Sequence, residues 1–127
     1  MNKLNKFNAE YNVSMALHTS FKAGGEAECL CYAQNEEELK ELLGILTESD
    51  EKHFILGNGT NVLFKDSGFD GIVVKLCGDF ESISLSGNEA TVGSAVSMAT
   101  LAKELQRSGL AGFEPLSGIP GSVGGAC

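Results

Sequence analysis

The sequence predicts an α+β fold, a small βαβ-like lobe followed by a second mixed α+β lobe. Three observations carry this expectation. An apolar strand, an amphipathic helix and further apolar strands follow one another up to residue 76. A hairpin signal and a second amphipathic helix follow from residue 77. Sixteen of the 127 residues are Gly, against an ordinary share of about 7%, and many of them cluster in two segments that suit neither helix nor strand. A chain of this length makes one compact domain or part of a larger protein, domains running to roughly 100–200 residues. With 43% hydrophobic and 20% charged residues, the composition is that of a chain able to bury a core. Nine basic residues against seventeen acidic ones give a net charge of −8, which repels a phosphate backbone, so no nucleic acid is expected as partner.

Residues 27–33 (AECLCYA) alternate with period two, the pattern of a half-buried strand. Asn35 caps the helix that follows. Glu38 stands three residues on, as in a capping box, and Leu39, Leu42, Leu43 and Leu46 recur at helical spacing. Residues 53–56 (HFIL) and 71–76 (GIVVKL) read as buried strands. In a βαβ-like unit, ligands bind beyond the carboxyl end of a strand, which draws attention to the loop after residue 56. Residues 79–85 and 89–93 read as two strands joined through Ser86, Gly87 and Asn88, a hairpin by composition. Ser97 caps a second helix with Met98, Leu101, Ala102 and Leu105 on its apolar stripe, and Gly109 ends it.

The first glycine-rich segment is Gly57-Asn58-Gly59-Thr60-Asn61. Gly lets backbone amides approach a ligand closely, so successive N–H groups can converge on an anion. A plain tight turn is the competing reading. The dinucleotide fingerprint fails because Val62 stands where a third Gly belongs, and no P-loop occurs. The second segment is Leu116-Ser117-Gly118-Ile119-Pro120-Gly121-Ser122-Val123-Gly124-Gly125-Ala126. It reads either as a linker or as a loop that sets amides against phosphate at the start of a helix.

Together these segments resemble a known family. His18-Thr19-Ser20-Phe21-Lys22-Ala23-Gly24-Gly25, Leu56 to Leu63, Gly71-Ile72-Val73-Val74, and Gly112 to Ala126 with its Gly-Ile-Pro-Gly-Ser-Val-Gly-Gly run are similar, in this order, to the UDP-N-acetylenolpyruvoylglucosamine reductase (MurB) family. The resemblance implies a PCMH-type FAD-binding fold, with FAD between two lobes. It also implies NADPH as co-substrate, UDP-N-acetylglucosamine enolpyruvate as substrate, and UDP-N-acetylmuramate for peptidoglycan as product. Carried over by position, Gly57, Asn58, Gly59, Thr60 and Asn61 hold the FAD pyrophosphate, and Ser117, Gly118, Ile119, Pro120, Gly121, Ser122, Gly124 and Gly125 line the same cofactor. Residues 1–76 would form the first lobe and 77–127 the start of a truncated second. Thr19 and the Gly24-Gly25 turn read as structural. Glu26 stands where the family often has Pro, and Gly93-Ser94-Ala95 replaces a richer Gly-Ala-Gly stretch.

The family's catalytic Arg, Ser and Glu have no counterpart in residues 1–127, nor does its substrate-binding domain. No catalytic residue is therefore expected here. The chain reads as the front part of a longer enzyme, inactive alone, holding FAD weakly or not at all and prone to self-association. A complete small module that binds a nucleotide or dimerises without redox chemistry is the alternative.

The remaining candidates receive bland readings. Cys29 and Cys31, two apart on a strand, read as small buried hydrophobes. With Cys77, Cys127, His18 and His53 they form no metal-binding spacing. Glu36, Glu37 and Glu38 suit the first turn of a helix. Lys22 and Lys65 read as solubilising. No stretch reaches the roughly 18 apolar residues of a membrane helix, and the first ten residues lack a signal peptide's apolar run, so no membrane partner and a cytoplasmic location are expected.

Overall fold

The computed structural model describes residues 2–59, 62–112 and 120–126. Its centre is a four-stranded sheet of β1 (Glu10–Ser14), β2 (Glu26–Ala33), β3 (His53–Leu56) and β4 (Phe69–Leu76). The spatial order is β1-β2-β4-β3, with β1 antiparallel to β2 and the other pairings parallel. Helix α1 (Glu36–Glu48) connects β2 to β3, and β4 then inserts between them. The helix starts as its sequence indicates. Asn35 Oδ1 accepts from the Glu38 amide at 2.9 Å. The returning arm of the box reaches one residue further back, where Glu38 Oε1 accepts from the Gln34 amide at 3.4 Å.

Insertion of β4 decides where the core sits. On one face, Cys29 and Cys31 of β2 and Ile72 and Val74 of β4 pack with Leu42 and Leu46 of α1 and with Leu4 and Phe7 of an N-terminal 3-10 turn. On the other, Leu30, Val73 and Leu56 pack with Met15, Ala27 and Phe64. Strand β2 is thus buried on both faces over Cys29–Cys31, where its alternation suggested a half-buried strand. Burying side chains of Leu or Val size contributes about 1.5–3 kcal/mol each, so this two-sided core is the main stabilising element.

Two local expectations change, and one strand is added that the sequence did not announce. Strand β3 is the sheet's edge, not a buried strand: Phe54 is 40% and Ile55 46% exposed. Strand β1 carries no alternating signal, since Val13 is its one aliphatic residue and Asn12 adopts φ 54°; only pairing with β2 orders it. Residues Gly78–Glu81 form a 3-10 turn where a strand was expected. The Asp79 amide donates to Gln34 O and the Phe80 amide to Cys77 O, which curls the chain.

Beyond this turn, β5 (Ile83–Ser86) and β6 (Glu89–Val92) form the hairpin, closed by Gly87 and Asn88. Gly87 alone has positive φ, 59°, which places glycine at the first central position as in a type II′ turn. Helix α2 (Met98–Arg107) is capped by Ser97 Oγ, which accepts from the Thr100 amide at 3.1 Å. It ends in a Schellman pair, with the Leu110 amide on Leu105 O and the Gly109 amide on Gln106 O. A last short helix, α3, spans Val123–Ala126. Among the described residues, no helix is long and apolar enough to cross a membrane.

Candidate functional site

The carboxyl ends of the parallel strands β3 and β4 point toward the segment before α3. The two glycine-rich segments meet there. Gly57 and Asn58 continue β3, while Gly121–Gly124 run along residues 94–98. The amides of Met98, Val123 and Gly124 donate to Gly121 O, Val96 O and Ser94 O, each at 2.9 Å, and Ser97 bridges to Ser122. Between these segments lies a cleft of about 340 Å³, toward the small end of the roughly 300–1,000 Å³ of ligand sites. Ile55, Leu56, Gly57, Asn58, Lys75 and Leu76 line it from the sheet and the loop after it, and Glu81, Ser94, Ala95, Ser122, Gly124 and Gly125 from the later part of the chain.

Of the expected site residues, Gly57, Asn58, Ser122, Gly124 and Gly125 share this cleft. Gly59 lies beneath it, buried against residues 18–19. Pro120 and Gly121 flank the cleft and do not line it. Thr60, Asn61, Ser117, Gly118 and Ile119 lie outside the described residues. The sequence reading missed Lys75, Glu81, Ser94 and Ala95. Lys75 was absorbed into the strand GIVVKL, although a lysine ending a parallel strand beside a glycine loop is a usable signal. Ser94 and Ala95 stood out only as a departure from a motif.

Glycine is required here sterically. A Cβ on Gly57 would lie 2.6 Å from Ser122 Oγ, so the two segments approach this closely only because that atom is missing. Gly59 has φ +70°, and a Cβ there would fall 2.1 Å from His18 O and 2.8 Å from Thr19 Cα. The Ser20 amide donates to Gly59 O at 2.8 Å, clamping segment 18–20 beneath the loop. Ser122 is 3% exposed, and its Oγ accepts from the Gly125 amide at 3.2 Å. The amides of residues 123–126 thus serve the protein itself, and Gly124 and Gly125 act by leaving space.

The electrostatics are sparse. Lys75 and Glu81 are the charged residues of the lining. His18 has its imidazole held below the ordinary value by burial, then by the Lys75 charge, with Glu10 acting the other way. Burial pushes the Cys31 thiol up to about 12, with Cys29 Sγ 3.7 Å away. Such thiols are inert at neutral pH, and no metal-holding group of His, Cys, Asp and Glu occurs among the described residues.

An FAD group can be tested against these residues. Gly57 leaves space beside Ser122 where the two segments meet, and beside Gly59 the Thr19 hydroxyl is buried with no hydrogen-bond partner among the described residues. An orphaned buried hydroxyl costs about 1–3 kcal/mol, so it marks a loop whose polar groups are not fully satisfied by the protein. The residues fit a polar, phosphate-bearing group.

Fold and cleft together define a class, the mixed α/β domain whose glycine-rich backbone lines a cleft beyond the carboxyl ends of parallel strands. Residues 27–127 match the FAD binding domain family, and the chain belongs to it; FAD is the cofactor this membership indicates. Its relatives agree. The chain is 39% identical over 126 residues to UDP-N-acetylenolpyruvoylglucosamine reductase of Clostridioides difficile, covering 99% of this chain and 41% of that protein. It is 38% identical over 115 residues to the Bacillus subtilis reductase of the same name, covering 91% of this chain and 38% of that one. The crystal structure of UDP-N-acetylenolpyruvylglucosamine reductase (MurB) from Thermus caldophilus superimposes with a TM-score of 0.72 at 33% identity, over 93% of this chain and 40% of that one. The chain thus spans about two fifths of the length of these relatives.

Proposed function

We propose that this chain is the FAD-binding part of a UDP-N-acetylenolpyruvoylglucosamine reductase, active in peptidoglycan precursor synthesis and located in the cytoplasm. The observation that supports the reading most strongly is the convergence of Gly57-Asn58 and Ser122-Gly124-Gly125 on one cleft. Residues 1–76 and 77–127 act as the two lobes that close on the cofactor. When bound, FAD supplies hydride transfer from NADPH to the enolpyruvyl group of UDP-N-acetylglucosamine enolpyruvate. Gly57, Asn58, Gly59, Thr60 and Asn61 offer backbone and side-chain donors to its pyrophosphate. Ser117, Gly118, Ile119, Pro120, Gly121, Ser122, Gly124 and Gly125 form the opposite wall. Ser122 fixes the spacing of the walls through its contact with Gly57. Ile55, Leu56 and Leu76 give the cleft an apolar floor that keeps water away from a bound ring system.

None of the chain's residues is assigned a proton or hydride transfer. The chain by itself is expected to bind FAD weakly or not at all and to show no NADPH-dependent turnover. Exposed Leu17, Phe21, Ile55 and Leu63 favour self-association. The test is expression of the complete gene containing this sequence. A yellow protein that oxidises NADPH in the presence of the enolpyruvyl UDP-sugar is expected, and a colourless protein without that turnover sinks the reading.

A further inference from the structure

Lys75 is out of keeping with its surroundings. The chain has nine basic against seventeen acidic residues, and what sets Lys75 apart from the other described lysines is that it is partly buried without an ion pair. The described ion pairs are Lys6–Glu41, Lys40–Glu36 and Arg107–Glu104. Lys75 makes none among the described residues, although Glu81 lines the same cleft. It is also half-buried, whereas Lys6, Lys40, Lys52, Lys65 and Lys103 are exposed.

Its position is fixed by the sheet. In the ladders, Lys75 stands opposite Leu56 of β3 and Tyr32 of β2. Leu56 is followed directly by Gly57, so Lys75 is rooted at the base of the first glycine-rich segment. Period-two alternation along β4 sets Lys75 on the same face as Val73, away from α1. An ammonium taken partly out of water stays charged at little cost only if an anion meets it. Among the described residues no carboxylate lies within ion-pair distance of it, Glu81 of the same lining included, and the cleft it lines is where the two glycine segments converge.

We infer that Lys75 is an anion-recognising residue of this cleft, its ammonium meeting a phosphate of the bound flavin nucleotide. The inference rests on the FAD reading proposed above and names a charged contact which that reading did not contain. Backbone amides supply partial charges, and Lys75 adds the full positive charge that a diphosphate needs. Lysine suits the task as a compact point charge on a flexible stem.

The experiment uses the full chain as K75M, K75R and, as a control on the exposed face of α2, K103M. The first probe is inorganic pyrophosphate, read as a rise in melting temperature. The wild type, K75R and K103M should be stabilised and K75M should not. The second compares FAD with riboflavin, which lacks phosphate, by flavin fluorescence. K75M should lose roughly ten- to a hundredfold in FAD affinity, with riboflavin unchanged. Should Met disturb the strand, seen as a lost far-ultraviolet spectrum, K75Q repeats both arms. Pyrophosphate stabilisation that survives in K75M overturns the inference, as does an equal loss for FAD and riboflavin, which would mean that Lys75 shapes the cleft. A dependence on Lys75 for UDP-N-acetylglucosamine in place of FAD overturns the assignment to flavin. If the pyrophosphate effect requires Lys75 while the protein expressed from the complete gene binds no FAD, the flavin reading fails and the anion site stands.

Discussion

Replacing Gly59 by Ala tests the claim that the first glycine-rich segment is pinned by close packing and is more than a turn. The substituted residue would have to hold φ +70°, a conformation that costs an L-residue about 1–2 kcal/mol. Its Cβ would sit 2.1 Å from the carbonyl oxygen of His18, about 0.9 Å inside the 3.0 Å that real Cβ atoms respect. The clashing atoms are backbone, so no side chain can swing aside, and such overpacking costs about 1–3 kcal/mol. Retreat of the loop would also stretch the 2.8 Å bond from the Ser20 amide to Gly59 O, worth about 1 kcal/mol. The expected loss is roughly 3–6 kcal/mol. Gly87→Ala is the matched control, because Gly87 has φ +59° and nothing lies within 4 Å of an added Cβ; it should cost only the conformational part, about 1–2 kcal/mol. Urea unfolding separates the two. With a slope of about 1–3 kcal/mol per M for a small protein, the Gly59→Ala midpoint should fall at least about 0.7 M below that of Gly87→Ala. Coincident midpoints would refute the packing argument.

Four further outcomes follow from the geometry. Gly57→Ala places a Cβ 2.6 Å from Ser122 Oγ and should weaken FAD binding, while Gly57→Ala/Ser122→Ala should recover part of the loss; additive effects in the double-mutant cycle would mean that the contact does not couple the lobes. His18, held below its ordinary 6.5 by burial and then by Lys75, binds its proton less readily folded than unfolded. Stability from this group is present above pH 6.5 and falls as pH drops toward the folded value. Melting temperatures between pH 8 and 5 should therefore decline less in His18→Gln than in the wild type. Cys29 and Cys31, buried and with the Cys31 thiol pushed up to about 12, should resist a thiol reagent at pH 8 until the chain unfolds, as peptide mass mapping would show; fast native labelling would contradict their burial. Asn35→Ala removes the 2.9 Å cap of α1 and should cost about 1 kcal/mol in urea, an unchanged midpoint counting against the cap.

Much of the local structure is legible in the sequence because its causes are local. Asn35 and Ser97 cap helices through bonds that span three residues, and Gly109 ends α2 through bonds spanning three to five. The hairpin at Gly87-Asn88 needs only one positive φ. The strand assigned to residues 79–85 was half wrong for a non-local reason, since Gln34 O, far back in the chain, draws the Asp79 amide into a turn. Strand β1 was invisible because a strand with one aliphatic residue is ordered by its neighbour and not by its own pattern.

By itself, the sequence determined that glycine crowds two segments, that both depart from helix and strand, and that their residue order is that of a cofactor-binding family. Tertiary structure alone decided that these segments face each other. Nothing local in Gly57 records that Ser122 will lie where a Cβ would be. Strand insertion also lay beyond the sequence: placing β4 between β2 and β3 depends on how much apolar area each order buries on both faces. That choice put Phe54 and Ile55 on an edge and brought Lys75 to the root of the glycine loop. Local hydrogen bonds reach only a few residues, so they can write elements into a sequence, whereas a cleft is written by which surfaces the core leaves uncovered.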